Sequence, residues 1–329
     1  MRTIKGFSYN KTPYRYVAKY KNNKWNKGRL TTNDKVVLSE SASILQYCQQ
    51  VFEGMKAFKT KDNRVVVFRP NLNFERLNKS AIRMSIPEIS KEMFYEALNL
   101  VVKANIEEIP SYESGGSLYL RPFIFGTSPI LGVKASSEYE FRLFASPVMP
   151  YFDQNKLVNL RVSDYDRAAP QGTGHIKAGL NYALSIFPGS EAHKLGFDEN
   201  LYLDSKSRTF VEETGGANIL FVDKNNKLIT PLSPTILPSI TRKSILYIAE
   251  SILGIEVEER QIEVSELKDF VECGLCGTAS IISPVGSITN NGEVVNYTTH
   301  KTLLKIRELL LDIQKEEVKA PKDWIYEIK

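Results

Sequence analysis

The chain has 329 residues, 42% hydrophobic and 25% charged, and its 43 Lys+Arg against 38 Asp+Glu leave a formal charge of +5. That length suits two domains, and the composition is that of a soluble globular protein. The positive excess is small and scattered, with no Lys/Arg cluster interleaved with aromatics, which speaks against nucleic-acid binding.

The N-terminal stretch MRTIKGFSYNKTPYRY has no apolar run resembling a signal segment, and runs such as VVVF at 65–68 are far short of a membrane span. No membrane partner is expected, and three cysteines without a secretory signal point to the reducing cytoplasm. Val65 to Phe68 predicts a strand ending at Pro70. NLNFERLNKSAIRM follows with Leu72, Leu77, Ala81 and Met84 at mainly helical spacing. Ser90 is placed to cap a second helix, on which Phe94, Leu98, Val101 or Val102, and Ile106 form one apolar stripe. The stretches 117–126 and 138–148 predict strands. SPVMPYFDQNK then breaks the pattern, which gives a small N-terminal α/β domain at 1–147, a linker at 148–157 and a larger domain at 158–329.

The second domain opens with a strand near 157–162 and a loop rich in Ala, Pro and Gly at 167–174 that leads to Lys177. One helix is expected from there to Gly196. Short strands surround VEETGGANILFVD and NKLITP, and a helix at 241–253 stops at Gly254. TASIISPVGSI predicts a buried strand, and a last helix spans about 299–316.

Lys177 sits in QGTGHIKAGLNYA, between two glycine-bearing tripeptides. A phosphate-binding P-loop needs Gly before the lysine and a hydroxyl after it, whereas Ile176 and Ala178 stand there. A solvated surface lysine is the plain alternative. A lysine that forms a Schiff base with pyridoxal phosphate needs a carboxylate for the pyridine nitrogen, a phenol for the ring hydroxyl, and an arginine with backbone N–H groups for the phosphate. Glu213 at a strand-to-turn junction, Tyr182 five residues past the lysine, a helix start at Ser239–Thr241 and a small-residue turn at Thr278 provide candidates. Each is weak alone, and their order and combination carry the inference. The histidines, His175, His193 and His300, are far apart, and Cys273-Gly-Leu-Cys276 lacks a second pair, so no metal is expected.

With QVFEGMKAF, FRPNLNFERLNKSA, LYLRPFIFG, YDRAAPQGTGHIKAGLNYA, LPSITRKSIL and CGTASIISPVG, the chain closely resembles the branched-chain amino acid aminotransferases over nearly its whole length. The resemblance implies a fold type IV pyridoxal-phosphate enzyme (D-amino acid transaminase-like, mixed α/β) of two domains with the active site at their interface. The implied reaction is transamination between branched-chain L-amino acids and 2-oxoglutarate, giving branched-chain 2-oxo acids and L-glutamate. It also implies that Lys177 carries the cofactor and moves the substrate proton, that Tyr182 bonds the ring oxygen, and that Glu213 pairs with the pyridinium nitrogen. Arg76, Ile240, Thr241 and Thr278 would hold the phosphate. Tyr119 with the turn at Gly277, Thr278 and Ala279 would receive the α-carboxylate, and Arg121 the distal carboxylate of glutamate. Phe52, Tyr47 and Tyr151 would wall the side-chain pocket, with Tyr47 and Val133 reaching over from the other subunit of a homodimer. Either Tyr14 or Tyr16 would close the pocket.

Two departures stand out. Leu180 replaces a glycine of the family's lysine motif, removing freedom at positive φ. Ser280 and Ser283 stand where mammalian members carry a redox cysteine pair, and Cys273–Cys276 does not inherit that role. The nearest rivals are a D-amino acid or (R)-amine transaminase of the same fold, and a nucleotide-binding protein without chemistry.

Overall fold

The computed structural model describes residues 4, 6–149 and 156–329. The chain forms two compact units, Met1–Tyr151 with Ile176–Leu180 and Ile313–Lys329, and Phe152–His175 with Asn181–Asp312.

Strands of the first unit are β1 (Arg15–Lys21), β2 (Lys24–Trp25), β3 (Arg29–Thr31), β4 (Gln50–Phe52), β5 (Met55–Lys59), β6 (Val65–Phe68), β7 (Ser117–Gly126), β8 (Tyr139–Val148) and the C-terminal β18 (Ile325–Glu327). They form one antiparallel sheet in the order β18-β6-β5-β7-β8-β1-β2, with β3 on β1 and β4 on β7. Its helices are α1 (Ser43–Tyr47), α2 (Pro70–Arg83) and α3 (Lys91–Ala104). Proline opens α2 because its fixed φ and missing N–H cost nothing at a first helical position. Ser90 caps α3 by accepting a 3.1 Å hydrogen bond from the Met93 N–H, worth about 1 kcal/mol. Phe94, Leu98, Val101 and Val102 of α3 are fully buried with Leu118, Leu120 and Ile124 of β7 and Phe141 and Leu143 of β8, each contributing about 1.5–3 kcal/mol. Strand alternation therefore sends Tyr119, Arg121 and Phe123 to the other face of β7.

In the second unit lie β9 (Val158–Val162), β10 (Glu199–Leu203), β11 (Val211–Thr214), β12 (Asn218–Asp223), β13 (Leu228–Pro231), β14 (Val257–Arg260), β15 (Phe270–Gly277), β16 (Ile281–Asn290) and β17 (Glu293–Asn296). The sheet runs β11-β10-β9-β16-β15-β12-β13-β14, and a further β11–β12 pairing closes six of these strands into a ring. One buried cluster joins Leu160, Leu201, Val211, Ile219, Phe221 and Leu275 from around that ring. The helices of this unit are α5 (Ile186–Lys194) and α6 (Ile240–Tyr247), extended by a π-helical turn at Ile248–Ile252, with most of α4 (Gly179–Ala183) and α7 (Lys301–Gln314), whose residues 179–180 and 313–314 belong to the first unit.

The division of the chain differs from the sequence expectation of 158–329 as one domain. Ile313–Lys329 returns to the first unit because β18 pairs with β6, and Ile176–Leu180 joins it through a bridge between Val51 and Ala178. Most of the proposed linker lies outside the described residues. The expected single helix from Lys177 to Gly196 is two helices, broken at Leu184–Ser185. Thr278–Ser280 is a turn, and the strand begins only at Ile281.

Candidate active site

In the first unit the site is built around Phe52, Glu53 and Gly54, between β4 and β5. The Phe52 N–H donates to the Lys177 carbonyl at 3.0 Å, and the Lys177 N–H to Ser80 Oγ of α2 at 3.0 Å. The lysine backbone is thus held from both sides, and Nζ stands 4.9 Å from the Phe52 ring centroid. Leu180 needs no positive φ, because it lies within α4 and packs against the core of the first unit. Gly179 lies close to Gln50, whose Oε1 would stand 2.4 Å from a Cβ there and would have to move aside.

Arg76 is gripped by Glu53, with Nε 2.6 Å from Oε1 and Nη2 2.9 Å from Oε2. Asn73, one turn earlier on the same face of α2, donates to Glu53 Oε2 at 2.7 Å. Burial alone would raise the Glu53 carboxyl, but the charges of Arg76 and Lys177 hold it below the usual range. Sequence reasoning missed Glu53 and Asn73. The signal was a carboxylate followed by glycine inside the apolar run QVFEGM, where only a buried partner would retain it.

Tyr119 and Arg121 share one face of β7, as their spacing implies. Arg121 Nη2 donates to the Tyr119 hydroxyl at 3.0 Å, and the guanidinium lies 4.8 Å from the Phe52 centroid. Its Nε is buried with no hydrogen-bond partner. Gly54 is required beside them, because a Cβ would stand 2.0 Å from the Tyr119 hydroxyl oxygen. The Tyr47 hydroxyl donates to the Leu131 carbonyl, and Val133 two residues on is 88% exposed. Tyr16 is fully buried, packed on Phe141, so of the two candidate pocket-closing tyrosines only Tyr14 is placed on the surface. Tyr151 lies outside the described residues.

In the second unit Glu213 is 2% exposed. Its Oε1 accepts the Leu237 N–H at 2.8 Å and its Oε2 the Asn218 amide at 2.7 Å. Arg167 Nη1 is 2.8 Å from Oε1, but its N–H is off line for a hydrogen bond, so the contact is an ion pair held by charge alone. Neither Arg167 nor Asn218 was singled out from sequence. Leu237 leads into α6, whose cap Ser239 accepts from the Arg242 N–H. The first-turn N–H groups of Ile240 and Thr241 are therefore not satisfied within the helix, which is the arrangement that attracts anions. On β15–β16, Gly277 pairs with Ile281 around the loop Thr278-Ala279-Ser280. Ile281 has φ +60°, a left-handed conformation in which a β-branched residue is strained by about 1–3 kcal/mol. A buried side chain offsets that strain and fixes the turn. Tyr182 lies half-buried on α4.

Within the second unit, an ion-paired buried carboxylate and a helix N-terminus are joined through Leu237, and Asn218 pairs with Cys276 beside the strained turn. This donor set fits a phosphorylated pyridine. Among the described residues no cluster of side chains suits a metal ion, and no helix is long and apolar enough to cross a membrane.

Cys273 and Cys276 both lie on β15. Residues three apart on a strand face opposite sides and are separated by about 10 Å, too far for a disulfide. Burial pushes the Cys273 thiol up and that of Cys276 to about 12, so neither is a thiolate at neutral pH. Mild peroxide should therefore leave the activity of the chain unchanged once the exposed Cys48 is replaced by serine. Reversible inactivation of that Cys48→Ser variant, lost on adding Cys276→Ser, would give the pair a redox role.

The model of the family Amino-transferase class IV matches residues 50–288. A branched-chain-amino-acid aminotransferase of Helicobacter pylori is 43% identical over 98% of this chain and 96% of its own length, and one of Haemophilus influenzae is 42% identical over 98% and 97%. Among solved structures, the branched-chain aminotransferase of Thermoproteus uzoniensis with norvaline superposes with a TM-score of 0.82 at 25% identity, covering 97% of this chain and all of that one. The chain therefore belongs to the class IV aminotransferases, fold type IV enzymes of pyridoxal 5′-phosphate, on the branch of the branched-chain-amino-acid aminotransferases.

Proposed function

We propose that the chain exchanges amino groups between leucine, isoleucine or valine and 2-oxoglutarate with the residues named above in the following roles. Bound pyridoxal phosphate supplies an aldehyde that condenses with amines and a protonated ring that accepts the electrons of a broken Cα–H bond. Lys177 Nζ holds the cofactor and, when displaced, takes the substrate Cα proton and returns it at the cofactor's C4′. Glu213 faces the ring nitrogen, and Tyr182 the ring oxygen. Arg76, oriented by Glu53, binds the phosphate with the N–H groups of Ile240 and Thr241 and the Thr278 side chain, where a planar fork of donors outperforms an ammonium. Tyr119 and the turn Gly277–Ala279 receive the α-carboxylate, and Phe52 walls the apolar pocket. Tyr47 and Val133 complete the site of a second copy, which makes the active form a homodimer; the bond from Tyr47 to Leu131 ties their two segments together. Cysteines that do not pair suit the cytoplasm.

One observation supports dual specificity most directly. The Arg121 guanidinium rests on Phe52 and bonds Tyr119 while its buried Nε lacks an acceptor. A buried N–H without a partner is costly, and the distal carboxylate of glutamate provides one that leucine does not need. Arg121→Leu is expected to slow the glutamate half-reaction selectively, by roughly 10- to 150-fold for a charge-assisted bond of about 1.5–3 kcal/mol. Single-turnover kinetics of each amino acid read this directly. An equal loss for leucine and glutamate would mean that Arg121 only supports the sheet.

A further inference from the structure

Arg167 lies in the loop after β9, 3% exposed, with Nη1 against Glu213 Oε1 and with neither Nε nor Nη1 in an aligned hydrogen bond. Burying a guanidinium without hydrogen bonds to Nε is unfavourable, so its charge must be what the site retains. Asn218 and the Leu237 N–H already orient the Glu213 carboxylate. Arg167 therefore adds little to its geometry and a full positive charge to its electrostatics.

We propose that Arg167 is a positioning residue for a proton, keeping it on the cofactor's ring nitrogen and off the Glu213 carboxylate. The inference rests on the reading that Glu213 faces that nitrogen. A proton between them has two resting places, N–H facing a carboxylate or a bare nitrogen facing a carboxylic acid. Only the first leaves the ring cationic and able to accept electrons. In a dry site a carboxylate gains affinity for the proton, and a guanidinium at 2.8 Å takes that affinity away.

The surrounding groups agree with this assignment. Glu199 on β10 is the other carboxylate within reach of Arg167, with both oxygens 3.3 Å from where a Cβ of Gly215 would stand, two residues past Glu213. Burial pushes its carboxyl up, against smaller opposing effects of the Asn200 N–H and the charges of His193 and Arg167. The one cation thus contacts Glu213 at 2.8 Å and acts on Glu199 only as a lesser charge effect, which burial of that carboxyl outweighs. Tyr202 on β10 is neutral, its phenol raised by burial. Cys276 on β15, raised by burial, is neutral as well and feels Arg242 of α6 on one side and Glu213 on the other. Arg242 is itself engaged with the Pro231 carbonyl at 2.7 Å.

The test is the ¹⁵N chemical shift of the ring nitrogen in holoenzyme reconstituted with ring-labelled pyridoxal phosphate, for wild type, Arg167→Met, Arg167→Lys and Glu213→Gln. Wild type and Arg167→Lys are expected at the protonated position, and Arg167→Met and Glu213→Gln displaced towards the unprotonated one. If Glu213→Gln moves the shift and Arg167→Met does not, Arg167 is structural and the proposal falls. If neither moves it, the assignment of Glu213 fails first and the proposal with it. Should Arg167→Met give no holoenzyme, Arg167→Lys decides alone. A displacement as large as that of Glu213→Gln, with the charge retained, overturns the proposal, and an unchanged shift supports it.

Discussion

Replacing Lys177 with alanine is expected to lower turnover of leucine with 2-oxoglutarate by at least ~10⁴-fold, the upper end of what a positioned acid–base group contributes, because the same amine also anchors the cofactor. The fold should survive. The two hydrogen bonds that place residue 177, to Phe52 and Ser80, use only its backbone. The side chain places a cation over the Phe52 ring, a contact worth about 0.5–1 kcal/mol. Loss of its charge also leaves Glu53 with Arg76 and Asn73 as partners, enough to keep that carboxylate ionised. The variant is thus expected to melt close to wild type and to bind pyridoxal phosphate without the covalent link, so that borohydride no longer fixes it to the chain. Activity within tenfold of wild type would place the nucleophile elsewhere.

Periodicity located the strands at Val65–Phe68 and Ser117–Gly126 and the helix capped by Ser90, because in those segments propensity, capping and burial act together. Where the chain is held by partners distant in sequence, local pattern was silent. β18 is three residues long and exists because β6 offers it an edge. The break between α4 and α5 carries no proline or glycine at 184–185 to announce it. The return of Ile176–Leu180 and Ile313–Lys329 to the first unit was silent for the same reason, since a chain that crosses back leaves no change in composition behind, whereas the cut at 151/152 falls inside the expected linker.

The residues proposed to touch cofactor or substrate can be picked out of the sequence because a catalytic role constrains residue type and order together. The groups behind them cannot. Glu53, Asn73, Arg167 and Asn218 make sense only through the partners they bury against, which lie from five to 46 positions away. The strain at Ile281 was invisible as well. A left-handed residue beside a hairpin turn favours glycine, and an isoleucine there reads as an ordinary strand residue until the register with Gly277 is known.

Glu213→Gln is expected to reduce kcat by at least ~10²-fold, equivalent to about 2.7 kcal/mol of transition-state stabilisation, since a neutral amide does not hold the ring nitrogen protonated. The structure adds a second consequence. Both carboxylate oxygens accept hydrogen bonds, from Leu237 and Asn218, so a glutamine amide must point its NH₂ at one donor. Asn218 can turn over to meet it, because its Oδ1 has no partner, at the cost of the long 3.3 Å bond to the Leu237 carbonyl. Arg167 loses its 2.8 Å partner and keeps only Glu199 within reach, a carboxyl that burial pushes up. Breaking a buried pair from one side costs about 3–5 kcal/mol, and one weaker partner recovers only part of it. The variant should therefore lose stability as well as activity, and the two losses should separate. Adding Arg167→Met removes the stranded charge and is expected to restore most of the stability in denaturant unfolding, while kcat stays at the level of Glu213→Gln or below. If the double variant recovers activity along with stability, the defect of Glu213→Gln was misfolding and Glu213 does not act on the ring nitrogen.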